Sequence, residues 1–330
     1  ANEGNAIAIA AGYYLGTGRL PLVYMQNSGF GNAINPLLSL CDPTIYAIPM
    51  LVLIGWRGEP GIKDEPQHIK QGQVQIQLLE SLGIGFEVLS ENDQNIDQKI
   101  AKAIDFAWSN NSPFVLLIRK ATFDPYEETS NDLGNGKITR EESLETTLAN
   151  IPDNSVIVST TGKTSREIFK IREKNNEPHY KDFLTVGSMG HCSSIALGIA
   201  IAKPKVNVIC IDGDGALIMH MGSIPTIGKL SPKNLVHILI NNGAYDSVGG
   251  QETAADIINF RNFALSNNYR NYEKAKTKDK LIKVFKKSIQ MEGPTFIEIV
   301  VKLGTKKNLS RPTHKPSENK NEVMNYLNKV

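Results

Sequence analysis

The chain has 330 residues, 41% apolar, 21% charged and 7% aromatic, enough to bury a large core in two domains; disordered, collagen-like and coiled-coil classes are excluded. Lysine and arginine number 36 against 34 acidic residues, and a net charge of +2 is too even for a protein that binds nucleic acid or another polyanion. The longest nearly apolar stretch, 44–56, contains Pro49 and falls short of the about 20 residues of a membrane span, so a soluble, cytoplasmic protein is expected. Cys41, Cys192 and Cys210 lie far apart with no paired spacing and are expected as small buried thiols in a reducing compartment. The opening ANEGNAIAIAAGYY has neither the basic region nor the long apolar core of a signal peptide, and the chain is expected to begin inside a domain.

In chain order, the first part alternates short apolar runs with amphipathic stretches. Strands are predicted over 21–26, 50–54, 86–89 and 113–118, with helices over 32–40, 73–81 and 94–108 between them. Buried strands in βαβ order make a parallel sheet covered on both faces. From 119 to 137 the texture turns acidic, rich in Asn, Thr and Gly and without period, as a linker does. A second alternation follows: helix 140–149, strand 155–159, helix 165–174, strand 183–186, helix 192–202, strand 206–211, helix 216–230 and strand 235–240. Helix 278–290 and strand 295–301 close it, and a basic tail ends in a short helix over 318–327. The fold class is α/β, two doubly wound parallel-sheet domains.

Gly213-Asp214-Gly215 stands at the end of the apolar run VNVICI; after 25 further residues Asn241-Asn242 stands at the end of the next run, LVHILI. Both groups fall at carboxyl ends of neighbouring strands, the edge where parallel sheets bind ligands. Glycines admit a diphosphate close to the backbone, and a helix starting near Ala216 offers amide donors. Asp214 and Asn241 supply hard oxygens of the kind an octahedral Mg²⁺ takes, with diphosphate, a backbone carbonyl and water in the other positions. Each piece alone is an ordinary turn, and the pair at this spacing is what points to a metal-bound diphosphate. A dinucleotide site would need a further glycine and an acid about 20 residues on, which this stretch lacks.

This pattern resembles the metal-diphosphate motif of thiamine-diphosphate-dependent enzymes, whose chains pair a pyrimidine-binding with a diphosphate-binding α/β domain. The resemblance implies residues 1–120 as the first domain without its opening strand and helix, 121–138 as linker, and 139–330 as the second domain with its tail. It implies thiamine diphosphate and Mg²⁺ as cofactors. Glu3, at the start of a helix, is implied to touch the pyrimidine ring, with Gly4, Ala6, Ala8, Ala10 and Ala11 letting that helix pack closely. In Gly187-Ser188-Met189, Met189 is the implied wedge that bends the cofactor and the Gly187 carbonyl receives its exocyclic amine. Gly162, Lys163 and Thr164 open a helix and form a further anion-binding turn. Gly213, Gly215, Ala216, Gly243 and Tyr245 are implied around the diphosphate, Gly243 also on the metal.

Longer segments, NEGNAIAIAAGYYLGTG, PLVYMQNSGFGNAINPL, GWRGEPGIKDEPQHIKQG, STTGKTSRE, GSMGHCSSIALGIA, NNGAYDSVGGQ and RPTHKPSENK, are similar to the phosphonopyruvate decarboxylase family, of which sulfopyruvate decarboxylases are close relatives. The resemblance implies a lyase that releases carbon dioxide from 3-phosphonopyruvate in phosphonate biosynthesis, built as a homodimer or larger homo-oligomer with its site between chains. Sulfopyruvate decarboxylase and a non-catalytic, cofactor-binding regulator are the alternatives; Glu3, Asp214 and Asn241, all present, speak against the regulator. A substrate with two acidic groups calls for cationic donors. Arg57, Lys63, His68 and Lys70 lie in a Gly- and Pro-broken loop over 55–72, and the resemblance to decarboxylases with active-site histidines after the corresponding strand implies His68 as a proton-transfer group. Asn27 and Ser28 form a polar turn on the same edge, and Arg311 is offered by the tail.

Overall fold

The computed structural model describes residues 1–124, 136–304 and 309–330, so most of the expected linker, 125–135, lies outside the described residues. The chain divides into two compact units, Ala1–Glu128 and Thr129–Val330.

The first unit runs α1 (Glu3–Thr17), β1 (Leu22–Gln26), α2 (Phe30–Pro36, prolonged by a π-helical turn over Leu37–Cys41), β2 (Met50–Gly55), α3 (Pro66–Ser81), β3 (Gly85–Leu89), α4 (Ile96–Asn110) and β4 (Pro113–Ile118). Asn2 caps α1 by accepting the Asn5 N–H at 3.1 Å, and Gly18, at φ 66°, ends it. The four strands are parallel in the order β1-β2-β4-β3. Every residue of β4 is buried, as befits a strand covered on both faces. One face is filled by Ile7, Phe30, Leu37, Val52, Leu79 and Leu117, the other by Leu51, Ala103, Ala107, Phe114 and Leu116. Helix α3 begins at Pro66, earlier than the expected residue 73, because a proline in the first turn has φ preset for the helix and no N–H to leave unpaired. His68 and Lys70 therefore sit on a helix, not in the expected loop.

The second unit contains α5 (Arg140–Leu148), β5 (Ser155–Ser159), α6 (Lys163–Lys174), β6 (Asp182–Leu184), α7 (Cys192–Ala202), β7 (Asn207–Gly213), α8 (Asp214–Met219), α9 (Ser223–Leu230), β8 (Leu235–Asn241), α10 (Phe260–Ser266), β9 (Asn271–Ala275), α11 (Lys278–Ile289), β10 (Thr295–Val300) and α12 (Pro316–Leu327). Its six parallel strands take the order β6-β5-β7-β8-β10-β9 between two apolar layers. The single helix expected over 216–230 is broken into α8 and α9: Pro225 has no N–H to bond the Met221 carbonyl, and Gly222 flanks the restart. Helix α10 and strand β9 were not expected. All three cysteines are free and buried. Although distant in sequence, Cys192 and Cys210 meet, with Sγ atoms 3.9 Å apart, and burial pushes the Cys41 thiol up to about 11.

Candidate active site

Glu3 opens α1, and its Oε2 accepts a hydrogen bond from Asn32 Nδ2 at 2.8 Å. The carboxylate lies against Gly29, where a Cβ would stand 2.0 Å from Oε1, so only glycine admits the acid in this position. A Cβ at Gly4 would stand 2.7 Å from the Asn32 carbonyl oxygen; α1 and α2 touch here. Ala10 and Ala11 are buried in that packing, whereas Ala8 faces solvent.

Asn27 is buried with both ends of its carboxamide on the main chain of Arg57: Nδ2 donates to the Arg57 carbonyl at 2.8 Å and Oδ1 accepts the Arg57 N–H at 3.0 Å. It props the β2–α3 connection. Ser28 donates its hydroxyl to Gln26 at 2.5 Å. The Arg57 guanidinium grips Asp64 with two bonds, Nε at 2.8 Å and Nη2 at 2.5 Å, and its side chain keeps 40% exposure. Asp64 also accepts the N–H groups of Gly58 and Glu65, and this set of donors holds its carboxyl far below the usual carboxylate range. His68 is buried, its Nδ1 without a hydrogen-bond partner among the described residues. Burial, then the neighbouring Arg57 charge, lowers its pKa, so the imidazole favours its neutral form. Lys63 and Lys70 are exposed.

In the second unit β7 and β8 are neighbours, with Gly213 beside Ile240, so the two motifs share one sheet edge. Asp214 is 2% exposed and accepts the Thr253 hydroxyl at 2.6 Å, together with main-chain N–H groups of Asn242 and Gly215. Burial nonetheless pushes its carboxyl up to about 6. A Cβ on Gly215 would lie 2.5 Å from the Tyr245 ring, so the glycine lets the loop after β8 close over this acid. The two asparagines divide. Asn241 gives its Nδ2 to Glu298 at 3.1 Å and accepts the Gly243 N–H at 3.3 Å, whereas Asn242 is buried and offers its main-chain N–H to Asp214. The Asn242 side chain itself accepts the Ala244 N–H through Oδ1 at 3.2 Å.

Gly162, at φ 88° and ψ −134°, precedes α6, and Lys163 binds Asp246 at 2.8 Å; Thr164 is buried behind it. Gly187, Ser188 (φ 54°) and half-buried Met189 follow β6, and the next residue, Gly190, backs onto the Ala216 carbonyl, where a Cβ would stand 2.9 Å away. The structure therefore gathers Gly187–Gly190, Ala216, Asp214, Gly215, Tyr245 and Asn242 at one edge. Arg311 is exposed on the segment before α12. Thr253, Glu298 and Gly29 escaped sequence reasoning, and Asn242 was read only as the second member of the asparagine pair.

Residues 160–299 match the family described as thiamine pyrophosphate enzyme, C-terminal TPP binding domain. The α/β fold and this match define a thiamine-diphosphate enzyme. The chain is 33% identical to the phosphonopyruvate decarboxylase of Streptomyces viridochromogenes, covering 96% of this chain and 81% of that protein. It is 33% identical to the phosphonopyruvate decarboxylase of Streptomyces hygroscopicus, covering 96% and 80%, and 30% identical to the sulfopyruvate decarboxylase of Methanosarcina acetivorans, covering 92% and 81%. The chain belongs to the phosphonopyruvate decarboxylase family.

Proposed function

We propose that the protein releases carbon dioxide from 3-phosphonopyruvate to give phosphonoacetaldehyde, with thiamine diphosphate and Mg²⁺ as cofactors. The observation that carries this reading is the buried Asp214 carboxyl on the Gly213–Gly215 turn, beside Asn242, in a chain that aligns with phosphonopyruvate decarboxylases over 96% of its length. Ala1–Glu128 takes the pyrimidine-binding role and Thr129–Val330 the diphosphate-binding role.

No side chain offers a sink for the electrons that decarboxylation leaves behind, and thiamine diphosphate supplies one when bound. Glu3 holds a proton at the pyrimidine nitrogen: Asn32 occupies Oε2 and leaves Oε1 for it. Asp214 and the Asn241–Gly243 turn would hold Mg²⁺, the main-chain N–H of Asn242 also resting on Asp214. Met189 and the Gly187 carbonyl seat the aminopyrimidine. His68, favouring its neutral form, accepts or returns a proton, and Arg57 binds the phosphonate through the guanidinium edge that Asp64 leaves open. Exposed Lys63, Lys70 and Arg311 are further cations for the substrate. Among the described residues no helix is long and apolar enough to cross a membrane, and the protein is proposed to work in the cytoplasm as a homodimer or larger homo-oligomer.

A sulfonate in place of the phosphonate is the second reading, favoured by 30% identity to a sulfopyruvate decarboxylase over 92% of this chain. The test is aldehyde formation from 3-phosphonopyruvate with and without thiamine diphosphate, in the wild type and in Glu3→Gln. Cofactor-dependent product that Glu3→Gln loses supports the reading; product formed without cofactor refutes it.

A further inference from the structure

Asp246, in the loop after β8, bridges two cations. Its Oδ1 accepts from Lys163 Nζ at 2.8 Å and its Oδ2 from Arg140 Nη1 at 2.9 Å, with its side chain only 14% exposed. The remaining face of Arg140 is taken by Glu167 through Nε at 2.8 Å and Nη2 at 2.9 Å, both side chains 6% exposed. Among the described residues Asp246 thus links Lys163, expected to meet a diphosphate, to the buried Arg140–Glu167 pair.

The same loop is fastened at other points. Thr253 reaches Asp214 with its hydroxyl and the Gly243 carbonyl with its N–H at 2.9 Å, the Tyr245 ring lies on Gly215, and Ser247 Oγ accepts the Lys163 N–H at 3.4 Å. One end of the loop therefore lies on the proposed metal acid and its middle on the turn that opens α6.

We propose that Asp246 is a positioning residue, a clasp that holds residues 243–253 between Asp214 and the Gly162–Lys163 turn and so sets how tightly the diphosphate and its metal are retained. The inference rests on the diphosphate reading of this edge. Asp246→Asn keeps the shape and removes the charge. Arg140 retains Glu167, and Lys163 is already 28% exposed, which limits the buried charge left without a partner.

The test is equilibrium dialysis of thiamine diphosphate with Mg²⁺ against wild type, Asp246→Asn, Lys163→Met and the double variant, together with hydrogen exchange of 243–253 in the cofactor-free protein. The clasp predicts affinity weaker by on the order of tenfold in either single variant, with no further loss in the double. It also predicts faster release and faster exchange confined to the loop. An unchanged dissociation constant in Asp246→Asn overturns it, as does tighter binding, the result expected if Asp246 merely competes with diphosphate for Lys163. If Asp246→Asn does not fold, Lys163→Met carries the same test. A wild type that binds no thiamine diphosphate removes the diphosphate reading itself, and the clasp with it.

Discussion

Replacing Gly29 by alanine separates activity from stability. The new Cβ would stand 2.0 Å from Glu3 Oε1, 2.2 Å from its Cδ and 2.5 Å from its Cγ, and no main-chain atom is among these nearest contacts. The backbone at Gly29, φ −91° and ψ −8°, suits alanine without strain, and the unfolded chain loses freedom, which stabilises by about 0.4–1 kcal/mol. Against this, the Glu3 side chain must leave its rotamer and its 2.8 Å bond from Asn32, at a cost of about 1 kcal/mol. The two nearly cancel, so thermal unfolding shifts by a few degrees at most. The carboxylate, however, retreats by about 1 Å, a misplacement of the size that costs about 10²-fold in rate. Glu3→Gln sets the ceiling of the effect at about 10²–10⁴-fold. The assay is carbon dioxide release at saturating cofactor beside a thermal melt of the same sample. A turnover number within about threefold of wild type refutes the reasoning that Glu3 acts from this seat.

Asp214→Asn removes the cation-binding charge, so the wild type melts higher with thiamine diphosphate and Mg²⁺, by about 2.7 kcal/mol at a hundredfold excess over Kd, and the variant does not; equal shifts would place the metal elsewhere. Arg57→Ala raises KM roughly tenfold or more while kcat changes less, because a two-pronged donor to the phosphonate is lost; an unchanged KM removes Arg57 from that role. Arg57 holds the Asp64 carboxyl below its usual range, so the stability it contributes is fully present above about pH 4 and is lost as pH falls through the lowered folded value. Chemical denaturation should therefore find wild type more stable than Asp64→Asn at pH 7, with the gap narrowing below about pH 4, and a gap independent of pH would contradict the pairing.

Central strands were legible because a strand buried on both faces reads as a continuous apolar run, as VNVICI and LVHILI do. Strand β9, NYEKA, sits at the sheet edge with half-exposed side chains and carries no such run, so pattern passed over it. The start of α3 was marked by Pro66, but the glycines around it suggested a loop. At the site, the acidic turn and the asparagine pair were readable together, being short and at fixed spacing. That the Asn242 main-chain N–H reaches Asp214 and the Asn241 amide reaches Glu298, 57 residues further on, was not, since the fold alone makes both contacts. Likewise, Asn27 looks like any polar turn residue until the fold brings Arg57 beside it.

The most direct test of the central claim is kcat/KM for carbon dioxide release from 3-phosphonopyruvate and 3-sulfopyruvate, each with and without thiamine diphosphate and Mg²⁺. The account predicts turnover that requires both cofactors and favours the phosphonate. Turnover favouring the sulfonate contradicts the substrate assignment, and turnover of neither contradicts the decarboxylase assignment itself.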